Sequence, residues 1–120
     1  MRKPPEATVY AWNGKAALRA IGGDPAFLAE LMDLYLKDAA GGIALIRRLE
    51  RAGRFEEIGK EAHRLKGSSL TLSLTGIGAI CGELEEAARK RSAPLVALGT
   101  ERFQTQIEAF RRFWASRHPS

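Results

Sequence analysis

The sequence predicts an all-α protein, a four-helix bundle of up-down-up-down topology with an additional short helix on its N-terminal side. Three observations carry that prediction. Apolar residues recur at helical spacing in four long segments, no segment alternates as a half-buried strand would, and glycine and proline fall where short helix connections are needed. With 120 residues, 45% of them hydrophobic, the chain suffices for one core and is too short for two ordinary domains.

Residues 1–11 contain two prolines and no periodicity, and are expected to form an arm or linker ahead of a single domain spanning 12–117. Asn13 is placed to cap a short helix that Gly22-Gly23 ends. Asp24-Pro25 supplies an N-cap followed by proline at the first helical position. The long helix that follows carries Leu28, Leu31, Tyr35, Leu45 and Leu49 inward, is expected to kink at Gly41-Gly42, and stops at Ala52-Gly53. Phe55, Ile58, Ala62, Leu65, Ser69 and Leu72 then share one face of a second bundle helix. A third, about residues 75–91, turns Ile77, Ile80, Cys81, Leu84 and Ala88 inward. Ser92-Ala93-Pro94 breaks the chain where a fourth can begin, with Val96, Phe103, Ile107, Phe110 and Trp114 on its stripe.

Nineteen Lys and Arg against fourteen Asp and Glu give a net charge of +5 and a pI near 9.8. The sign admits nucleic acid, an acidic protein or anionic lipid as partner without choosing among them. The excess leans towards the C-terminal part, where it is read as a solvated face. A lone Cys81 permits no intrachain disulfide and fits a reducing compartment. No apolar run approaches the roughly 18 residues of a spanning helix and no leader pattern opens the chain, so a cytoplasmic location is expected.

Most catalytic constellations fail here. One cysteine and two histidines 55 residues apart show no metal-ligand spacing, so no metal site is expected. Ser68 and Ser69 lack the strained elbow of a serine nucleophile, and Gly76-Ile77-Gly78 is a weak nucleotide signal with no strand before it. His118, in a polar tail, is assigned no role.

His63 is different. Its direction departs by about 130° from the apolar stripe of its helix, so the imidazole is expected to face solvent. Gly59 and Gly67 stand one turn before and one turn after it, each costing about 1 kcal/mol in a helix interior. Two such costs beside an outward histidine imply close approach of something bulky. Lys60 and Lys66, at i−3 and i+3, place cations on either side, favouring an anion at the ring and a neutral, nucleophilic imidazole. The bland alternative is a basic helix that happens to expose a histidine.

The run Ala62-His63-Arg64-Leu65-Lys66-Gly67-Ser68-Ser69 resembles the signature of histidine-containing phosphotransfer (HPt) domains of multistep His-Asp phosphorelays. Ile21-Gly22-Gly23-Asp24-Pro25 and Cys81 with Leu84-Glu85 extend the likeness to roughly residues 12–113. The resemblance implies a four-helix bundle with an N-terminal helix. It makes His63 the phosphoacceptor, Lys66 the supporter of the phosphoryl group, and Gly67 the small residue that leaves room for a docking receiver domain. Ser68 and Ser69 are taken as structural. Ser73 stands where the family usually has glycine, which puts the turn after the active helix in question.

Such a domain is a carrier and not an enzyme. It takes a phosphoryl group from an aspartate of a receiver domain and passes it to another, binding no cofactor itself while the receiver supplies Mg²⁺ and most catalytic groups. Response-regulator receivers and a hybrid sensor kinase are the implied partners, with no nucleic acid and no direct membrane contact. Leu70, in the angular sector of His63, joins Gly59, Lys60 and Gly67 in an expected docking surface of about 1,200 Å² or less. The rival readings are a docking module of the same fold whose His63 stays unphosphorylated and, behind it, a basic nucleic-acid-binding helical protein.

Overall fold

The computed structural model describes residues 10–118. Five helices occupy almost all of that span: α1 Gly14–Ala20, α2 Pro25–Arg51, α3 Phe55–Thr71, α4 Thr75–Arg89 and α5 Ala93–Arg117. The four long ones close a ring, α2 on α3, α3 on α4, α4 on α5 and α5 back on α2, while α1 touches α2. Connections of three residues between α2, α3, α4 and α5 force successive helices to run antiparallel, giving the up-down-up-down bundle.

Helix starts follow from local chemistry. The Asn13 side chain accepts from the Ala16 amide at 3.0 Å, Asp24 from Ala26 and Phe27 at 3.0 and 3.4 Å, and Ser92 from Leu95 at 3.3 Å, each satisfying N–H groups that the first turn leaves orphaned. The start of α3 has no side-chain cap, but Glu56 and Glu57 lie in its first turn, where the helix dipole favours acids.

Helix ends share one geometry. After α2, α3 and α4 the chain turns through a left-handed residue, Gly53 at φ 69°, Ser73 at 61° and Arg91 at 56°. At each, the amides of that residue and of the one after it reach back to the helix: Ser73 to Leu70 and Leu74 to Ser69, Arg91 to Ala88 and Ser92 to Ala87, Gly53 to Glu50 and Arg54 to Leu49. These are Schellman closures, normally built with glycine. The turn that Ser73 put in question therefore forms as glycine would form it, with a β-carbon in a region that disfavours one.

The inward stripes of α3, α4 and α5 match their apolar periodicity, with Leu65, Leu84, Phe103 and Phe110 fully buried. The stripe of α2 agrees with the expected one at Leu28 and Tyr35, which are buried, and departs from it elsewhere. Met32, Ala39 and Ile46 are completely buried, whereas Leu31, Leu45 and Leu49 sit at the flanks of the core. Gly41-Gly42 does not interrupt α2. Gly42 serves close packing instead, because a β-carbon there would stand 2.9 Å from both Glu61 and Leu65 of α3.

The boundary at residue 11 needs correction. Residues 1–9 of the expected arm lie outside the described residues, but Tyr10 is 5% exposed, its ring edge-on to Phe110 at 5.1 Å. Its carbonyl accepts from the Gly76 amide at 3.0 Å, and that of Ala11 accepts from the Thr75 hydroxyl at 3.1 Å. Trp12 follows, donating its indole N–H to the Leu72 carbonyl at 3.0 Å and packing on Phe110, Phe113 and Trp114. Residues 10–13 are thus part of the bundle and hold the α3–α4 connection.

Candidate functional site

His63 sits mid-way along α3 on the face opposite Ala62 and Leu65, and its side chain is 67% exposed. The ring is nevertheless held. Its Nδ1 lies 3.1 Å from Oε2 of Glu85 on α4, and the other oxygen of the same carboxylate lies 3.3 Å from Nζ of Lys66. Glu85 therefore bridges the histidine and the lysine one turn beyond it. Burial pushes the Glu85 carboxyl up from its ordinary value of 4.5, but hydrogen bonds with Lys66 and then His63 outweigh that and leave it lowered. The carboxylate is ionised at neutral pH and can only accept, so the proton of the shared hydrogen bond belongs on Nδ1, and Nε2 is the ring nitrogen left without a hydrogen-bond partner among the described residues. The expected pair of free cations is thus replaced on one side by a Lys–Glu–His relay.

The remaining sequence-selected residues divide between the two flanks of α3. Towards α2, Gly67 is exposed, with open space where a β-carbon would stand. It borders a groove shared with Leu34, Asp38, Arg64 and Thr71. Arg64 closes that side by bonding Asp38 of α2 at 2.9 Å and Glu61 at 2.6 Å. Leu70 is 47% exposed but leans onto α4, where a β-carbon at Gly78 would come within 2.6 Å of it. Towards α4, Gly59 is half-buried, and an added methyl would only touch that of Ala88 at 3.7 Å. Gly59, Lys60, His63, Glu85 and Ala88 share a cleft of about 690 Å³, whose far end is formed by Phe55 and Arg91.

Behind His63 the helix is fastened by hydroxyls. Ser69 is fully buried, donates to the Leu65 carbonyl at 2.8 Å and shares a 2.7 Å hydrogen bond with the Tyr35 hydroxyl of α2. Ser68 bonds the Arg64 carbonyl at 3.1 Å, so both serines have structural partners. Burial pushes the Cys81 thiol up to about 12, which keeps it protonated and inert. His118 ends α5 stacked on Trp114 with ring centroids 3.7 Å apart, away from α3 in the fold's connectivity. Among the described residues no three His, Cys, Asp or Glu side chains gather as a metal site, and no helix is long and apolar enough to cross a membrane.

Glu85 is the residue that sequence reasoning left without a role. It was visible only as part of a Cys-x-x-Leu-Glu run, and its signal is the helical register: Leu84 and Ala88 are buried, so Glu85 falls on the edge of α4 that borders α3. The Hpt domain family model matches residues 30–113. Neither a curated protein nor a solved structure matches the chain.

Proposed function

For a chain that belongs to the Hpt domain family, and so to the histidine phosphotransfer domains of phosphorelays, we propose that His63 is the phosphoacceptor, loaded from a receiver-domain aspartate and unloaded onto another. The observation that carries this reading is the hydrogen bond between His63 Nδ1 and Glu85, which favours the Nδ1–H tautomer and leaves Nε2 unpartnered on a side chain that is 67% exposed. In the transfer step the Nε2 lone pair forms a bond to phosphorus as the P–O bond to the donor aspartate breaks, and the aspartate leaves as a carboxylate. The imidazole then carries a positive charge with its proton still on Nδ1, against the Glu85 carboxylate. Return transfer reverses this, and no proton need leave the ring in either direction.

Lys66 is poised to exchange its contact with Glu85 for a phosphoryl oxygen once the group arrives, a charge-assisted hydrogen bond of the stronger class. Gly67 keeps the α2 side of the ring clear for the receiver. Mg²⁺ chemistry on the aspartyl phosphate belongs to the receiver. Mixing the chain with a receiver carrying labelled phosphate tests the reading: an acid-labile label on His63 is expected. A label stable to acid, or one retained by His63→Gln, overturns it.

A further inference from the structure

Resting on that carrier reading, we infer that the cleft between α3 and α4 beside His63 selects receivers by charge, taking a protrusion of the receiver that is apolar at its base and acidic at its tip. The cleft holds about 690 Å³ and its walls change character along their length. Its apolar lining is formed by Gly59, Ala88 and the Phe55 ring. Around them stand two cations without an ion-pair partner among the described residues, Lys60 and Arg91, against the carboxylate Glu56, while Arg89 is paired with Glu86 and Glu85 is already committed to His63 and Lys66. The uncommitted end is therefore net positive.

Arg91 gives this end its specific chemistry. Its residue occupies the left-handed position that closes α4, at φ 56°. Glycine fills the equivalent positions after α1 and α2, at Gly22 and Gly53, and the small Ser73 the one after α3, so Arg91 is the long, charged side chain among them. A side chain at such a position is held against local conformational preference, a condition that clusters at binding and catalytic sites. The guanidinium is carried over the Phe55 ring, 5.2 Å from its centroid. It pairs with no carboxylate among the described residues, whereas its neighbours Arg89 and Lys90 both bond Glu86. A cation parked on an aromatic face beside an apolar floor, within one cleft of the nucleophile, complements a carboxylate carried on an apolar stem. A receiver so equipped is oriented at a second point beyond the His63 ring itself.

The test is the rate of His63 labelling from a panel of phosphorylated receiver domains, some with acidic and some with neutral side chains beside their phosphorylated aspartate. The parent chain is expected to load from the acidic group about tenfold faster, the worth of one charge-assisted contact. High salt narrows that ratio. Arg91→Gly should bring the ratio close to one while melting near the parent, because glycine suits the turn. Lys60→Gln, on the opposite wall, should reduce it partly. Equal loading by the parent from both groups, or a preference that survives in both variants, overturns the inference and leaves the carrier reading intact. A parent that takes label from no receiver overturns the carrier reading with it.

Discussion

The two flanks of α3 on either side of His63 are built in opposite ways. Towards α4 the groups nearest the ring are engaged, His63 with Glu85 and Glu85 with Lys66. Towards α2 the near position is Gly67, with nothing beside it, and the ion pairs of Arg64 stand back from the ring. On the carrier reading proposed above, the difference separates two tasks. The ring is held from the α4 side by Glu85, while the α2 side is left clear for a docking receiver.

The comparison breaks most completely at its centre. His63→Gln should abolish label transfer with helicity unchanged in circular dichroism, since the amide lacks the nucleophile on which both flanks converge. On the α4 flank, Lys66→Ala should slow transfer about tenfold, roughly 1.5 kcal/mol for a lost charge-assisted contact at a site that is about one-third exposed. Lys60→Ala should slow it less, and equal effects in single-turnover kinetics would remove the distinction between the two lysines.

Glu85→Gln should also slow transfer, because an amide donating to Nδ1 would favour the tautomer with its proton on Nε2. The pH dependence has a definite sign. The folded-state carboxyl is lowered from 4.5, so the Glu85 contribution is complete above the ordinary carboxylate range and fades as pH falls through the depressed value. Following the His63 ring by NMR should show a step there that Glu85→Gln removes.

On the α2 flank a smaller effect is expected, with activity and stability moving apart. Gly67→Gln fills open space in a helix, so its melting temperature should equal or exceed the parent's, while transfer from a receiver falls several-fold. Unchanged transfer would mean that the clearance has no bearing on docking. The smallest effect lies beyond both flanks. Ser73→Gly relieves a left-handed serine, for which glycine's greater unfolded-chain freedom partly compensates. A gain of a few tenths to about 1 kcal/mol is expected, read as a rise of a few degrees in thermal melting, with the transfer rate unaltered.

Most of the frame was legible because it rests on local rules. Asn13, Asp24 and Ser92 are capping residues next to helical periodicity, and His63 stands off its stripe by simple angular counting. The missing parts depend on how helices rotate against one another. Glu85 is 22 residues from His63, and only the packing of α4 on α3 brings them within hydrogen-bonding reach. Along α2 the expected Leu28 and Tyr35 are buried, but Leu31, Leu45 and Leu49 are not, and Met32, Ala39 and Ile46 are packed in their stead, because α2 must face α3 and α5 at once and its apolar residues spread over more than one face. Tyr10 looked like linker because a single aromatic residue has no period, and its partner Phe110 is a hundred residues away.

The grip of residues 10–13 on the α3–α4 connection has a bearing on the order in which this molecule comes apart. Four hydrogen bonds, from Asn13 to Ser73, Trp12 to Leu72, Thr75 to Ala11 and Gly76 to Tyr10, join that segment to the turn closing the active helix. Exposed turns ordinarily open at little cost in local fluctuations. This one is clasped by a strand-like stretch whose aromatic rings are seated on the far end of α5, so loosening it means undocking Tyr10 and Trp12 as well. The last turn of α3 thereby opens as part of a larger cooperative unit, and the segment that fastens it lies ahead of residue 30, where the match to the family model begins.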